Sequence, residues 1–292
     1  MKTPSLLGEI TLRETDAKSP HVLTELPVLV ISPHNRCNCR CIMCDIWKIR
    51  QTREITVHDF RPHLESLRAL KVRWIVFSGG EPLLHSDLPA LSEILREEGI
   101  RLTLLTAGLL LERKAALVAE HFDDLIVSLD GPHEIHDYIR NIPKAFGRLS
   151  SGIAAVRELR PSIAIQGRCT VQKANRRHLR ETVLAAHKIR LDSFSFLAAD
   201  LVSEAFNRPG GWSANQQEFV ALDHLETEEL GSEIKALIVE FSEDIDSGFI
   251  VEGAEKLRGI WRHFQAHNGL VQPLAPRCNA PWVSAVIEAG GD

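Results

Sequence analysis

Six short apolar runs, each leaving through a polar loop into a segment of helical periodicity, restrict this chain to a small set of architectures. The runs are Pro27–Ser32, Arg73–Ser78, Arg101–Thr106, Asp124–Leu129, Ile163–Val171 and Ser193–Ala198, and each reads as a strand. Between them lie helical patterns. Phe60, Leu64, Leu67 and Leu70 share one face, Leu88, Leu91, Ile94 and Leu95 another, with Gly99 as its C-cap. Further helices are expected over Leu109–Phe122, Phe146–Leu159 and Arg177–Ile189, with a long loop after the fourth strand. Strands alternating with helices imply βαβ units around a parallel sheet. The expected fold is therefore α/β: a partial (β/α)6 TIM-like barrel over 26–201, with a mostly helical C-terminal segment. In such folds chemistry sits in the loops beyond the C-terminal ends of the strands.

The cysteines are the unusual part of the composition. Of six, four fall within eight residues (Cys37, Cys39, Cys41 and Cys44), while Cys169 and Cys278 stand alone. A disulfide framework belongs to small secreted chains, and this chain has 292 residues. Clustered thiols in a reducing compartment bind metal or do redox chemistry. Cys169 reads as a packing thiol. The formal charge of −5 argues against a general nucleic-acid binder. No apolar run approaches the ~20 residues of a membrane span. Residues 1–25 carry too many charges for a signal peptide, so a cytoplasmic location is expected.

Three loops carry the candidate chemistry. Cys37, Cys41 and Cys44 are spaced C-x3-C-x2-C, which can hold three irons of a [4Fe–4S] cube and leave the fourth open. Zinc is the rival, because Cys41 and Cys44 form half of a zinc ribbon, but the chain has no second C-x2-C. Cys39 reads as a bystander thiol or as a fourth ligand. The loop is also basic, with Arg36, Arg40, Lys48, Arg50 and Arg53 against Asp45, which favours thiolates. Gly79-Gly80-Glu81-Pro82 follows the second strand: its glycines admit a close backbone approach, and Glu81 can face a cation. Ser128-Leu129-Asp130-Gly131 ends the fourth strand.

In this order and context the motifs make the chain resemble the radical S-adenosylmethionine (radical SAM) superfamily over about 28–199, with Met43 in the apolar slot before the last cysteine. The resemblance implies a [4Fe–4S] cluster on Cys37, Cys41 and Cys44, with S-adenosylmethionine on the open iron. It implies cofactor-binding roles for Gly79, Gly80, Glu81 and Pro82 at the methionine ammonium, and for Ser128 and Asp130 at the carboxylate or ribose. Arg168, on the fifth strand, is a candidate bidentate partner of that carboxylate, against the reading of a surface salt bridge. Relatives often have Thr-Asn-Gly after the third strand; Thr106-Ala107-Gly108 lacks that asparagine. The implied reaction is reductive cleavage to methionine and a 5′-deoxyadenosyl radical, which abstracts a substrate hydrogen. An electron donor such as flavodoxin or ferredoxin is implied as partner. No acid or base is nominated, and His34 and His85 read as ordinary loop histidines.

Past Leu201 the alternation stops. Residues 222–246 hold nine acidic side chains against Lys235 and read as a solvated helical face, within a helical connecting segment over 202–276. Residues 277–292 resemble the opening of a SPASM or twitch auxiliary-cluster extension, in which a hairpin would turn at Gly290-Gly291; the chain ends there, so the extension is incomplete or vestigial, and Cys278 by itself holds no auxiliary cluster. That resemblance favours a peptide substrate. A small cofactor precursor or a carbohydrate is the alternative substrate class. A non-catalytic iron–sulfur or zinc sensor is the competing function, and it would leave the second and third motifs without a purpose.

Overall fold

The computed structural model describes residues 23–275 and 278–291. Most of the expected N-terminal extension (1–22) and Arg277 of the C-terminal motif lie outside the described residues.

All six expected strands form: β1 Val28–Ile31, β2 Trp74–Phe77, β3 Arg101–Thr106, β4 Asp124–Ser128, β5 Ala164–Val171 and β6 Ser193–Ala198. A seventh, β7 (Ser284–Ile287), pairs parallel with β1. The sheet order is β6-β5-β4-β3-β2-β1-β7, entirely parallel and curled into a half-barrel. The place of β7 comes from the unpaired edge that β1 offers.

The helices are α1 (Val57–Phe60), α2 (Leu64–Ala69), α3 (Leu88–Glu97), α4 (Ala115–His121), α5 (His133–Arg140), α6 (Ala145–Leu159), α7 (Leu179–Lys188), α8 (Ala214–Gln217), α9 (His224–Glu240), α10 (Ser242–Ser247), α11 (Ala254–His267) and α12 (Ala280–Val283). Pro62 splits the first expected helix, since it cannot donate to the helical ladder. The expected long loop after β4 contains α5, whose importance appears below.

Strand register sorts the two faces of the sheet. Ile31, Ile75, Phe77, Leu102, Leu104, Val127, Ile165, Val171 and Phe194 are almost wholly buried against the helices. Each contributes roughly 1.5–3 kcal/mol of burial. The opposite face carries Ser128 beside Arg168, and Arg168 beside Ser195, all in register. Along β5 this face, with Gln166, Arg168 and Thr170, is half-buried where its neighbours are buried. At β4 to β6 this concave face thus carries a polar lining.

The acidic 222–246 stretch is more than a solvated face. Asp223 caps α9 reciprocally with Glu226. Farther along, Glu229 pairs with Arg176 and Arg177, and Glu233 and Glu240 pair with Arg180. These acids dock α9 on α7 and the turn before it. No helix among the described residues is long and apolar enough to cross a membrane.

Candidate active site

The cysteine loop between β1 and α1 has almost no ladder of its own, so its backbone is held by its neighbours. The amides of Arg40 and Ile42 donate to the carbonyls of Arg140 (3.2 Å) and Ile139 (3.0 Å) in the last turn of α5. Helix-terminal carbonyls lack intrahelical partners, and here the loop supplies them. Asp45 N–H donates to Phe206 O at 3.1 Å, and Glu81 N–H donates to Arg36 O at 2.8 Å. Three elements distant in sequence therefore set the loop's shape.

All four clustered cysteines pack in one apolar cluster with Met43, Ala107, Leu109, Ile142 and Ala145. Cys39 and Cys41 are buried and Cys37 and Cys44 half-buried, all as free thiols. Cys39, 1% exposed, is among the buried members of this cluster. The Cys39 contact and the Arg140 guanidinium bring the Cys41 thiol down to about 6, whereas burial pushes Cys44 up to about 12. Among the described residues no three His, Cys, Asp or Glu side chains converge on a point that would hold a single metal ion. A cube presents its irons at separate corners, so its thiolates need not converge. Cys169 is core-packed, as expected, and Cys278 is exposed.

The Gly79-Gly80-Glu81-Pro82 loop packs directly against the cysteine loop. Gly79 has φ +88°, and a Cβ at Gly80 would lie 2.0 Å from Arg36 O, so the glycines serve this loop-to-loop approach. Glu81 is wholly buried: its carboxylate accepts from Thr106 Oγ1 (2.8 and 2.9 Å), Ala107 N–H (2.9 Å) and Leu83 N–H (3.2 Å). The carboxylate expected to face an ammonium thus ties its loop to the end of β3. His34 is buried too. Its Nδ1 accepts from Arg36 N–H at 2.9 Å, so Nε2 carries the proton and donates to Glu81 O at 2.7 Å. That histidine braces the two loops and is not an ordinary surface residue.

Burial raises the Glu81 carboxyl above its ordinary value, against the hydrogen bonds that lower it. A raised carboxyl binds its proton more tightly folded than unfolded. Its contribution therefore makes stability fall as pH rises from the ordinary carboxylate range through the raised value. Glu81→Gln is expected to lose that slope, read as urea midpoints over about pH 4 to 7.

At the end of β4, Ser128 stays half-buried on the concave face next to Arg168. Arg168 Nε is buried without a hydrogen-bond partner. Burial lowers the Arg168 guanidinium, and Glu252 is the nearby charge that raises it. Such an orphaned donor on the lining is what an anionic ligand group would satisfy. Asp130 instead points inward. It is fully buried, accepts from Thr170 N–H at 2.8 Å and forms an ion pair with Arg140. Ser128 and Arg168 are thus brought together at the lining, while the Asp130 and Glu81 carboxylates are occupied by protein partners.

The segment after β6 closes over the outer side of the cysteine loop. Arg208, 3% exposed, donates to Met43 O and to Asp200 O (2.9 Å) and stacks on Trp212, 3.7 Å to the ring centre. Trp212 Nε1 donates to Asp45 Oδ2 at 2.8 Å. Arg208→Ala is expected to cost about 2–3 kcal/mol, because two carbonyls lose a charged donor. Urea midpoints and faster proteolysis within 36–53 check it. A cavity of about 290 Å³ opens here, with Cys41, Trp47, Tyr138 and Phe219 in its wall. A larger cleft of about 550 Å³, lined by Arg96, Arg101 and Asp123, lies at the N-terminal end of β3, away from these loops.

The residues present fit an iron–sulfur cluster and a zwitterionic cofactor: three free thiols in a C-x3-C-x2-C loop, a guanidinium beside Cys41, and an arginine on the lining whose buried Nε has no partner. The family model described as the radical SAM superfamily matches residues 31–186, more than half of the chain. The chain belongs to the radical SAM superfamily. The cofactors of that family are a [4Fe–4S] cluster and S-adenosylmethionine. Among curated proteins, Fe-coproporphyrin III synthase of Methanosarcina barkeri is 32% identical over 157 residues, covering 52% of this chain and 39% of the relative. Pre-heme d1 synthase of Dinoroseobacter shibae is 31% identical over 175 residues, 59% of this chain and 43% of the relative. Each match spans less than half of the curated relative. Among solved structures, Streptococcus suis SuiB bound to precursor peptide SuiA has TM-score 0.63 at 17% identity, over 92% of this chain and 59% of that one. That likeness concerns the fold.

Sequence reasoning missed α5. His136, Ile139 and Arg140 are its buried residues, an arginine among them. The available signal was His136 and Arg140, one helical turn apart, immediately after the third motif.

Proposed function

We propose that Cys37, Cys41 and Cys44 hold a [4Fe–4S] cluster whose open iron takes the amino and carboxylate groups of S-adenosylmethionine. The observation that carries this reading is the clustering of the C-x3-C-x2-C thiols on one loop, packed against the glycine loop at the C-terminal end of the barrel. Bound and reduced, that pair would supply the 5′-deoxyadenosyl radical chemistry of the family, with methionine as co-product, for removal of a substrate hydrogen atom.

The chain's own residues bind and orient. Carbonyls of the Gly79–Pro82 segment receive the methionine ammonium, with the Glu81 carboxylate fixing the segment rather than touching the ligand. Ser128 and Arg168 meet the carboxylate or the ribose from the lining. Asp130 acts indirectly, through Arg140 and Thr170. Apolar walls and the 200–217 segment keep water from the thiols. One electron comes from a carrier protein such as flavodoxin or ferredoxin.

For the substrate, a peptide is supported by the C-terminal motif and by the fold shared with SuiB in its precursor-peptide complex. A second reading, a small cofactor precursor, is favoured by sequence: the relatives at 29–32% identity are named as coproporphyrin, pre-heme d1 and heme synthases. The test is 5′-deoxyadenosine release by anaerobically reconstituted, dithionite-reduced protein, alone and with peptides or tetrapyrroles added. Zinc in place of iron after anaerobic purification would sink the reading; stimulation by one class of added compound, with a matching mass change, identifies the substrate class.

A further inference from the structure

Arg140 is buried at the end of α5, its side chain 9% exposed, and its fork divides between two anionic partners. One Nη pairs with the wholly buried Asp130; the other donates to Cys41 Sγ at 3.5 Å. Its Nε is buried with no partner. The backbone of the same turn accepts from Arg40 and Ile42, the residues either side of Cys41. Side chain and main chain of one helical turn thus grip one cysteine of the three.

Packing alone does not account for such an arrangement. A buried ion pair pays a large desolvation cost, and an apolar pair of equal volume would hold α5 to the loop at least as well. What the guanidinium adds is a fixed positive charge and a donor aimed at sulfur, in a pocket with little water. The reduction potential of an iron–sulfur cluster is set by local charge, by hydrogen bonds to its sulfurs and by burial. The reduced cluster carries one more negative charge than the oxidised one, so a cation beside a ligating sulfur stabilises the reduced form. The opposing carboxylate of Asp130 moderates that effect.

We infer that Arg140 is a positioning residue that sets the potential of the cluster through Cys41, with Asp130 as its counterweight. This rests on the cluster assignment proposed above. Arg168 meets the cofactor; Arg140 meets the metal side of the same site.

The experiment is an EPR-monitored redox titration of reconstituted wild-type, Arg140→Gln, Arg140→Lys, Asp130→Asn and Arg40→Gln proteins, each normalised to its iron and sulfide content. Arg140→Gln is expected to titrate at a more negative potential than wild type, and Arg140→Lys between the two. Asp130→Asn, which retains an acceptor for Thr170 N–H, is expected to move in the positive direction. Arg40, exposed on the same loop, serves as a charge control, and its variant should titrate with wild type because water screens it. A purely structural role for Arg140 has no reason to give shifts of opposite sign. Where Arg140→Gln retains no cluster, Arg140→Lys and Asp130→Asn decide the sign. Loaded variants that all titrate with wild type overturn the role of Arg140 and leave the cluster assignment intact. A wild-type protein that takes up no cluster overturns the assignment itself.

Discussion

Cys41→Ala protein, reconstituted with iron and sulfide without oxygen, is expected to show no [4Fe–4S] signal and to release no 5′-deoxyadenosine. Three thiolates are the minimum that leaves one iron open, and the third cannot come from Cys39 by simple exchange. Cys39 is buried, and its approach to a vacated corner would require moving a backbone fixed to α5 through Arg40 and Ile42. The loss is expected to be complete at the detection limit, while the fold persists because Cys41 adds little to the main core. Equal far-UV circular dichroism beside an absent EPR signal is the result that separates a missing ligand from a misfolded chain. Retained iron and product in this variant would mean that Cys39 serves as a ligand.

The second large effect is expected at Gly80. A methyl group there would lie 2.0 Å from Arg36 O and 2.6 Å from Arg36 C, both backbone atoms that cannot rotate away. Ordinary carbon contacts are wider by more than 1 Å, so one of the two loops must shift by about that much. Overpacking of this kind costs roughly 1–3 kcal/mol of stability. Catalysis is expected to suffer more, because the cysteine loop and the cofactor loop meet at this contact. Displacing reacting groups by about 1 Å can cost on the order of 10²-fold in rate. Gly80→Ala should therefore retain iron, lose most 5′-deoxyadenosine release and unfold at a lower urea midpoint. Wild-type turnover in this variant would mean that the loops do not need their contact.

The strands and most helices were legible because their signals are local. Alternating apolar runs and 3.6-residue periodicity depend on neighbours within a dozen residues, and β1 to β6 follow the expected spans within a few residues. The motif loops were legible for the same reason: each is contiguous and sits directly after a strand. Side-chain commitments were not. Glu81 and Asp130 looked like groups free to meet a ligand, because an acidic side chain in a loop is ordinarily solvated. Each is fully buried, with hydrogen bonds to residues 25 and 40 positions away respectively.

The amino-acid sequence by itself determined the parallel α/β core, the loop that carries the thiols and the place of the glycine loop after the second strand, since local pattern and chain connectivity suffice for these. Folding in three dimensions decided the partners. Arg140 reaches Cys41 across 99 positions, Trp212 reaches Asp45 across 167, and β7 finds the free edge of β1 at the far end of the chain. A charged or polar side chain has no intrinsic preference for one distant partner. The packed elements around it remove water, and only then does a single geometry satisfy the buried charge.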